Sequence, residues 1–148
     1  MRLLSNVLLN KISVINLLIS EISVFMAIYN QLPVYKESYD LIIEIFKAVK
    51  EFNREYKYTL GENIKKEAIE MVTSIYRANS SFEKTSHIQK AKEKIETIRI
   101  FFRLAKDLKQ VSLKKFVETN EKVENVSKQL TAWGRSQSKG SESLTVKA

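Results

Sequence analysis

From Tyr35 onward, apolar residues recur every three or four positions, the period of helices that bury one face. Tyr35, Tyr39, Ile42, Phe46 and Val49 form one row, with Leu41, Ile45, Ala48 and Phe52 beside it, and predict a first core helix over 35–56. Asp40, Glu44, Lys47 and Glu51 fall on the other side, where Glu44 and Lys47 can pair. Pro33, just ahead, presets the backbone for a helix start. Residues 54–61, REYKYTLG, read as a turn, in which Thr59 and Glu62 have capping-box spacing. A second helix follows over 60–77 on the row Ile64, Ala68, Met71, Val72 and Ile75, and Ala78 to Ser81 break it. The third runs from Phe82 or Ser86 to Lys109. Ser112 then offers an N-cap for a fourth, which carries Leu113, Phe116, Val123, Val126, Leu130 and Trp133 and ends with Gly134 as its C′ residue. So short a connection makes helices three and four antiparallel neighbours. Asn120 interrupts the fourth seam, and Trp133, its last residue, is expected in the core or an interface rather than stacked on a base.

Residues 1–25 are apolar but differently arranged. Asn6, Asn10, Lys11, Asn16 and Glu21 interrupt the roughly 20 apolar residues that a membrane span needs. Asn10 and Lys11 also break the apolar core of a secretory signal. Leu4, Leu8, Ile12, Ile15, Leu18, Ile22 and Phe25 fit an amphipathic helix instead, with few cations to hold a lipid surface, which argues against a membrane partner. The apolar pattern becomes regular from Met26, so the expectation is a bundle over 26–135 preceded by an amphipathic extension over 1–25, with Met26 as the expected biological start. Residues 136–148, rich in Ser, Lys and Glu without apolar period, read as a disordered tail.

Helix three carries surplus apolar surface. Ile95, Ile98, Phe101, Phe102, Leu104, Ala105 and Leu108 cover roughly half its circumference, wider than the stripe of about 100° that a surface helix needs. Such a helix is expected to bury one flank in its own core and another against a second subunit. Lys92, Arg99, Arg103 and Lys106 fall within about 60° of one another and form the remaining strip. Residues 99–115 hold +5 of the chain's +8.

Composition narrows the chemistry. With 148 residues, no cysteine, one histidine, three glycines and one proline, the chain is one all-α domain without disulfides or thiolate and multi-histidine metal sites. His87 has no recognisable catalytic partner, and no glycine-rich phosphate loop is present. Glu67 and Glu70 lack the second Glu-x-x-His set of a di-metal site. No catalytic, cofactor-binding or metal residues are therefore assigned. The basic balance attracts polyanions, nucleic acid foremost. Candidate nucleic-acid contacts are Arg99, Arg103, Lys106, Lys109, Lys114 and Lys115, joined by Arg54 and Lys57 if the first turn lies at the same end of an antiparallel bundle. The competing role for Arg99 and Arg103 is intersubunit pairing with acids such as Glu44 or Glu51.

The order LPVYKESYDLIIEIF, REYKYTLGENI, IRIFFRLAKDLKQVSLKKF and KQLTAWG resembles the Avd family, the accessory variability determinants of diversity-generating retroelements, and their wider relatives, the four-helix-bundle proteins encoded in rRNA intervening sequences. The YTLG turn at Tyr58 to Gly61, the RLAKDL run at Arg103 to Leu108 and Trp133-Gly134 carry it. The resemblance implies an antiparallel up-down four-helix bundle, with an extra N-terminal helix here, assembled as a homopentameric ring. It also implies a non-catalytic, cytoplasmic protein that binds RNA or DNA and partners a reverse transcriptase during mutagenic cDNA synthesis. For the wider relatives, the implied role is a general RNA-binding or protein-interaction module.

Overall fold

The computed structural model describes residues 2–145, and among them there is no strand. The chain divides into two compact units, residues 1–33 and 34–148. The first is a single helix, α1 (Arg2–Gln31), in which Arg2–Val24 is long and apolar enough, by length and composition, to cross a membrane. That stretch has no buried residue. The helix breaks at Leu32, because the ring of Pro33 disfavours a helical conformation in the residue before it.

The second unit holds the bundle. Its elements are α2 (Pro33–Lys50), a single turn α3 (Arg54–Tyr56), a π-helical turn (Lys57–Gly61), α4 (Glu62–Ser80), α5 (Thr85–Asp107) and α6 (Leu113–Thr145). Side chains show which helices are neighbours. Glu44 of α2 lies 3.1 Å from Lys122 of α6, and Lys65 of α4 sits 5.3 Å over the Phe46 ring of α2. Lys94 of α5 reaches Glu67 and Glu70 of α4 at 3.0 and 2.5 Å. Arg99 of α5 pairs with Glu124 of α6, and Ser127 donates to Glu96 at 3.1 Å. Between α5 and α6, Arg99 meets Glu124 and Glu96 meets Ser127, so one number rises as the other falls; with short connections between successive helices, direction alternates around the cyclic order α2, α4, α5, α6. This is the predicted antiparallel four-helix bundle with an additional N-terminal helix.

Each helix supplies one stripe to the core: Leu41, Ile45 and Val49; Ile64, Met71 and Ile75; Ile95, Ile98 and Phe102; Val123, Val126 and Leu130. In α2 the row with Leu41 and Ile45 faces inward, while Tyr39 and Phe46 of the other predicted row stay exposed. Full burial of a Leu or Ile contributes about 1.5–3 kcal/mol, so these stripes dominate the energetics of the bundle.

Two connections and one helix end differ from the pattern reading. Residues 54–61 are helical and run directly into α4, so no capping box forms. Thr59 instead donates its hydroxyl to the Glu55 carbonyl at 2.8 Å. Gly61 explains the local geometry: a Cβ there would lie 2.5 Å from Val49 Cγ1, and its absence lets the π-turn sit on the end of α2. At the end of α5 the chain forms a Schellman motif, with Gln110 N–H donating to the Ala105 carbonyl and Lys109 N–H to that of Lys106. Lys109, with φ 58°, takes the left-handed position that glycine usually fills. Gly134 is not a stop. It lies inside α6, packed toward Ile88, and the helix continues to Thr145, with no proline in 136–145 to end it. Residues 146–148 of the expected tail lie outside the described residues. Ser112 caps α6 as predicted, accepting from Lys115 N–H at 3.1 Å.

Candidate nucleic-acid interface

The two turns that carry the candidate cations meet at one end of the bundle. Asn53 N–H, before α3, donates to Gln110 Oε1, before α6, at 2.9 Å. This bond ties the connection after α2 to the connection after α5. Arg54 and Lys57 are thereby brought to the same end as Lys106, Lys109, Lys114 and Lys115. Lys47 and Lys50, in the last turn of α2, join them and are both exposed. In the sequence pattern this helix runs on to residue 56 with Lys47 on its solvated face, so neither lysine stands at a helix end there. Residues 47–57 and 103–115 together contain nine cations and three acids, a net +6 against +8 for the chain.

The cations are not equivalent. Arg99 is half-buried and clamped: Glu124 holds one guanidinium nitrogen and Glu96 lies 3.2 Å from Nε. It joins α5 to α6 within one chain. Lys115 is drawn to Glu44 at 3.6 Å. Lys106 lies 5.4 Å over the Phe116 ring and 3.4 Å from Asp107. Arg103 is different, with 70% of its side chain exposed and Asp107, at 3.7 Å, its one ion-pair partner among the described residues. Lys109 and Lys114 are exposed and form no ion pair among the described residues, as is also true of Arg54. Lys57 is half-buried in the π-turn, and Tyr58 beside it is 67% exposed. Arg103, Lys109, Lys114 and Arg54 are thus the side chains most available to a phosphate, and the nearby aromatic ring is available for stacking.

Elsewhere lysines are committed to structure. Hydrogen bonds that Lys94 donates to Glu70 and then to Glu67 hold its ammonium above its usual range, and the same contact with Lys94 pulls Glu70 below the usual carboxylate range. Glu44 raises Lys122 likewise. His87 is half-buried near the start of α5. Trp133 is half-buried too, and Asn120 lines a groove between α5 and α6 with Arg99, Ile100, Arg103 and Phe116.

The bAvd-like family model matches residues 28–137, well over half the chain and almost the whole bundle. The chain belongs to the bAvd-like family. No curated protein matches it. In this bAvd-like chain the matched segment begins three residues before the end of α1 and closes shortly after Trp133. The basic bundle end lies wholly inside it, and nearly all of α1 lies outside.

Proposed function

We propose that this chain is a non-catalytic accessory protein that assembles into a ring and binds nucleic acid through the cationic end of its bundle, in the service of a reverse transcriptase that copies template RNA into mutated cDNA. One observation carries the nucleic-acid part: the Asn53–Gln110 hydrogen bond gathers two separate basic segments at one end, where Arg103, Lys109 and Lys114 remain open to solvent. Cations so placed release condensed counterions from a phosphate backbone, giving affinity that falls steeply with salt and reads little sequence. Membership of the bAvd-like family supports the retroelement and reverse-transcriptase part.

Ring assembly draws support from a second feature of the bundle. Two faces expose large apolar side chains. One, between α2 and α4, shows Phe46 and Ile69; the other, between α5 and α6, shows Ile100, Leu104 and Val117. In the cyclic order of the helices these faces lie on opposite sides. Two different patches on opposite sides suit head-to-tail contacts, which close into rings. Leu104 belongs to the surplus apolar surface of helix three, and Ile100 adjoins it. Light scattering on the full chain tests the assembly, and co-purification with the reverse transcriptase of a diversity-generating retroelement tests the partner. A ring mass and a stable complex are expected; a monomer that captures no reverse transcriptase refutes both.

A further inference from the structure

Nearly all of α1 lies outside the family match and in its own compact unit, so its chemistry needs a separate account. We infer that α1 inserts into the hydrocarbon of a lipid bilayer and tethers the protein to a membrane. Read as sequence, the asparagines and Lys11 argued against this. The structure changes the balance, because Arg2–Gln31 is one unbroken helix whose backbone donors and acceptors are satisfied internally, as hydrocarbon requires. Arg2–Val24, 23 residues, extends about 34 Å at 1.5 Å per residue, against a hydrocarbon core of about 30 Å. Arg2 and Glu21 stand about 28 Å apart along the axis, and Lys11 is the one charge between them. Its long stem lets the ammonium reach toward the headgroups.

Two other occupants fit less well. A helix lying on a lipid surface keeps its apolar residues on one side. In α1, exposed Leu4, Leu8 and Ile12 occupy one side, while Leu9, Leu17 and Val24 occupy the other. A second copy could pair along Leu4, Leu8, Ile15, Leu18 and Ile22, which repeat at heptad spacing. That seam would leave Leu9, Leu17 and Val24 in water beside an uncharged outer surface of Asn6, Ser13 and Ser20, without the charges that keep such helices soluble. A bilayer covers every side at once. Within it, the asparagines and serines can hydrogen-bond between copies.

The test is flotation of the full chain reconstituted with pure phosphatidylcholine vesicles, in about 1 M salt, where screening over about 3 Å removes adsorption by the basic bundle. The wild type is expected to float and to resist extraction by alkaline carbonate. The variant Leu8→Asp, Ile15→Asp, Leu18→Asp changes α1 alone and should lower the vesicle-bound fraction more than about tenfold, with RNA affinity unchanged. Failure of the wild type to float, flotation only on phosphatidylglycerol-containing vesicles with release by salt, or a triple variant that floats equally well would each overturn the inference. So would a variant that halves the solution mass of the vesicle-free protein, because α1 would then be covered by a second copy.

Discussion

Gly61 is where a single methyl group tests the packing of the bundle end most sharply. Its backbone is ordinary right-handed helix, φ −61° and ψ −44°, so conformation alone favours alanine by about 1 kcal/mol. Space opposes it. A Cβ would lie 2.5 Å from Val49 Cγ1, 3.3 Å from the Tyr56 carbonyl oxygen and 3.6 Å from Phe52 Cδ2. Carbon atoms pack at about 3.5–4.0 Å, so the π-turn or α2 must move by about 1 Å. Val49 is only 2% exposed and cannot swing into solvent. Overpacking of this kind costs about 1–3 kcal/mol, leaving Gly61→Ala destabilised by about 0–2 kcal/mol. With a urea slope of about 1–3 kcal/mol per molar, the midpoint falls by up to about 2 M. Val49→Ala alone removes about 2 kcal/mol of burial and cavity energy, yet in the double variant the new methyl occupies the vacated space. Urea unfolding at fixed protein concentration should therefore show a favourable coupling of at least about 1 kcal/mol. Additivity within about 0.5 kcal/mol, or a Gly61→Ala variant more stable than the wild type, would refute the steric account.

Gly134 gives the opposite expectation: it is helical and its added Cβ meets Ile88 at an ordinary 3.5 Å, so Gly134→Ala should stabilise by about 0.5–1 kcal/mol in the same assay, whereas a loss would restore the C-cap role. Arg99→Ala breaks the α5–α6 clamp and should cost about 0.5–1 kcal/mol of stability, while Arg103→Ala should leave stability within about 0.5 kcal/mol and weaken RNA binding. The reverse pattern would show that Arg99 serves ligand and Arg103 structure. Contact with Lys94 pulls Glu70 below its ordinary value of 4.5, so its contribution to stability is complete above that value and is lost as pH falls through the lowered pKa. The melting-temperature gap between wild type and Glu70→Gln should thus be open at neutral pH and close in acid; a gap that persists in acid contradicts the assignment.

The bundle was legible because its signal is repeated: each helix shows several turns of three-and-four spacing, and burial of those stripes outweighs local preference. Connections depend on single contacts instead. Thr59 and Glu62 have the letters of a capping box, but nothing in their spacing reveals that Gly61 fits under Val49 and keeps the segment helical. Lys109 closes α5 in a left-handed conformation that its identity does not advertise. The basic end was visible as charge density. Its internal division was not, since Glu124 finds Arg99 and Glu44 finds Lys115 and Lys122 only when α6 folds back along α5 and α2. Lys47 and Lys50 became relevant only when the Asn53–Gln110 hydrogen bond placed their end of α2 beside the turn before α6.

The central claim, that the gathered cations form a phosphate-binding surface, is tested most directly by RNA affinity as a function of salt for the wild type and for Arg103→Ala, Lys109→Ala, Lys114→Ala combined. The account predicts a steep linear fall of log affinity with log salt for the wild type. The variant should keep its solution mass, bind more weakly at low salt and show a slope shallower by at least about 1. An unchanged slope, or a wild type whose affinity ignores salt, would contradict it.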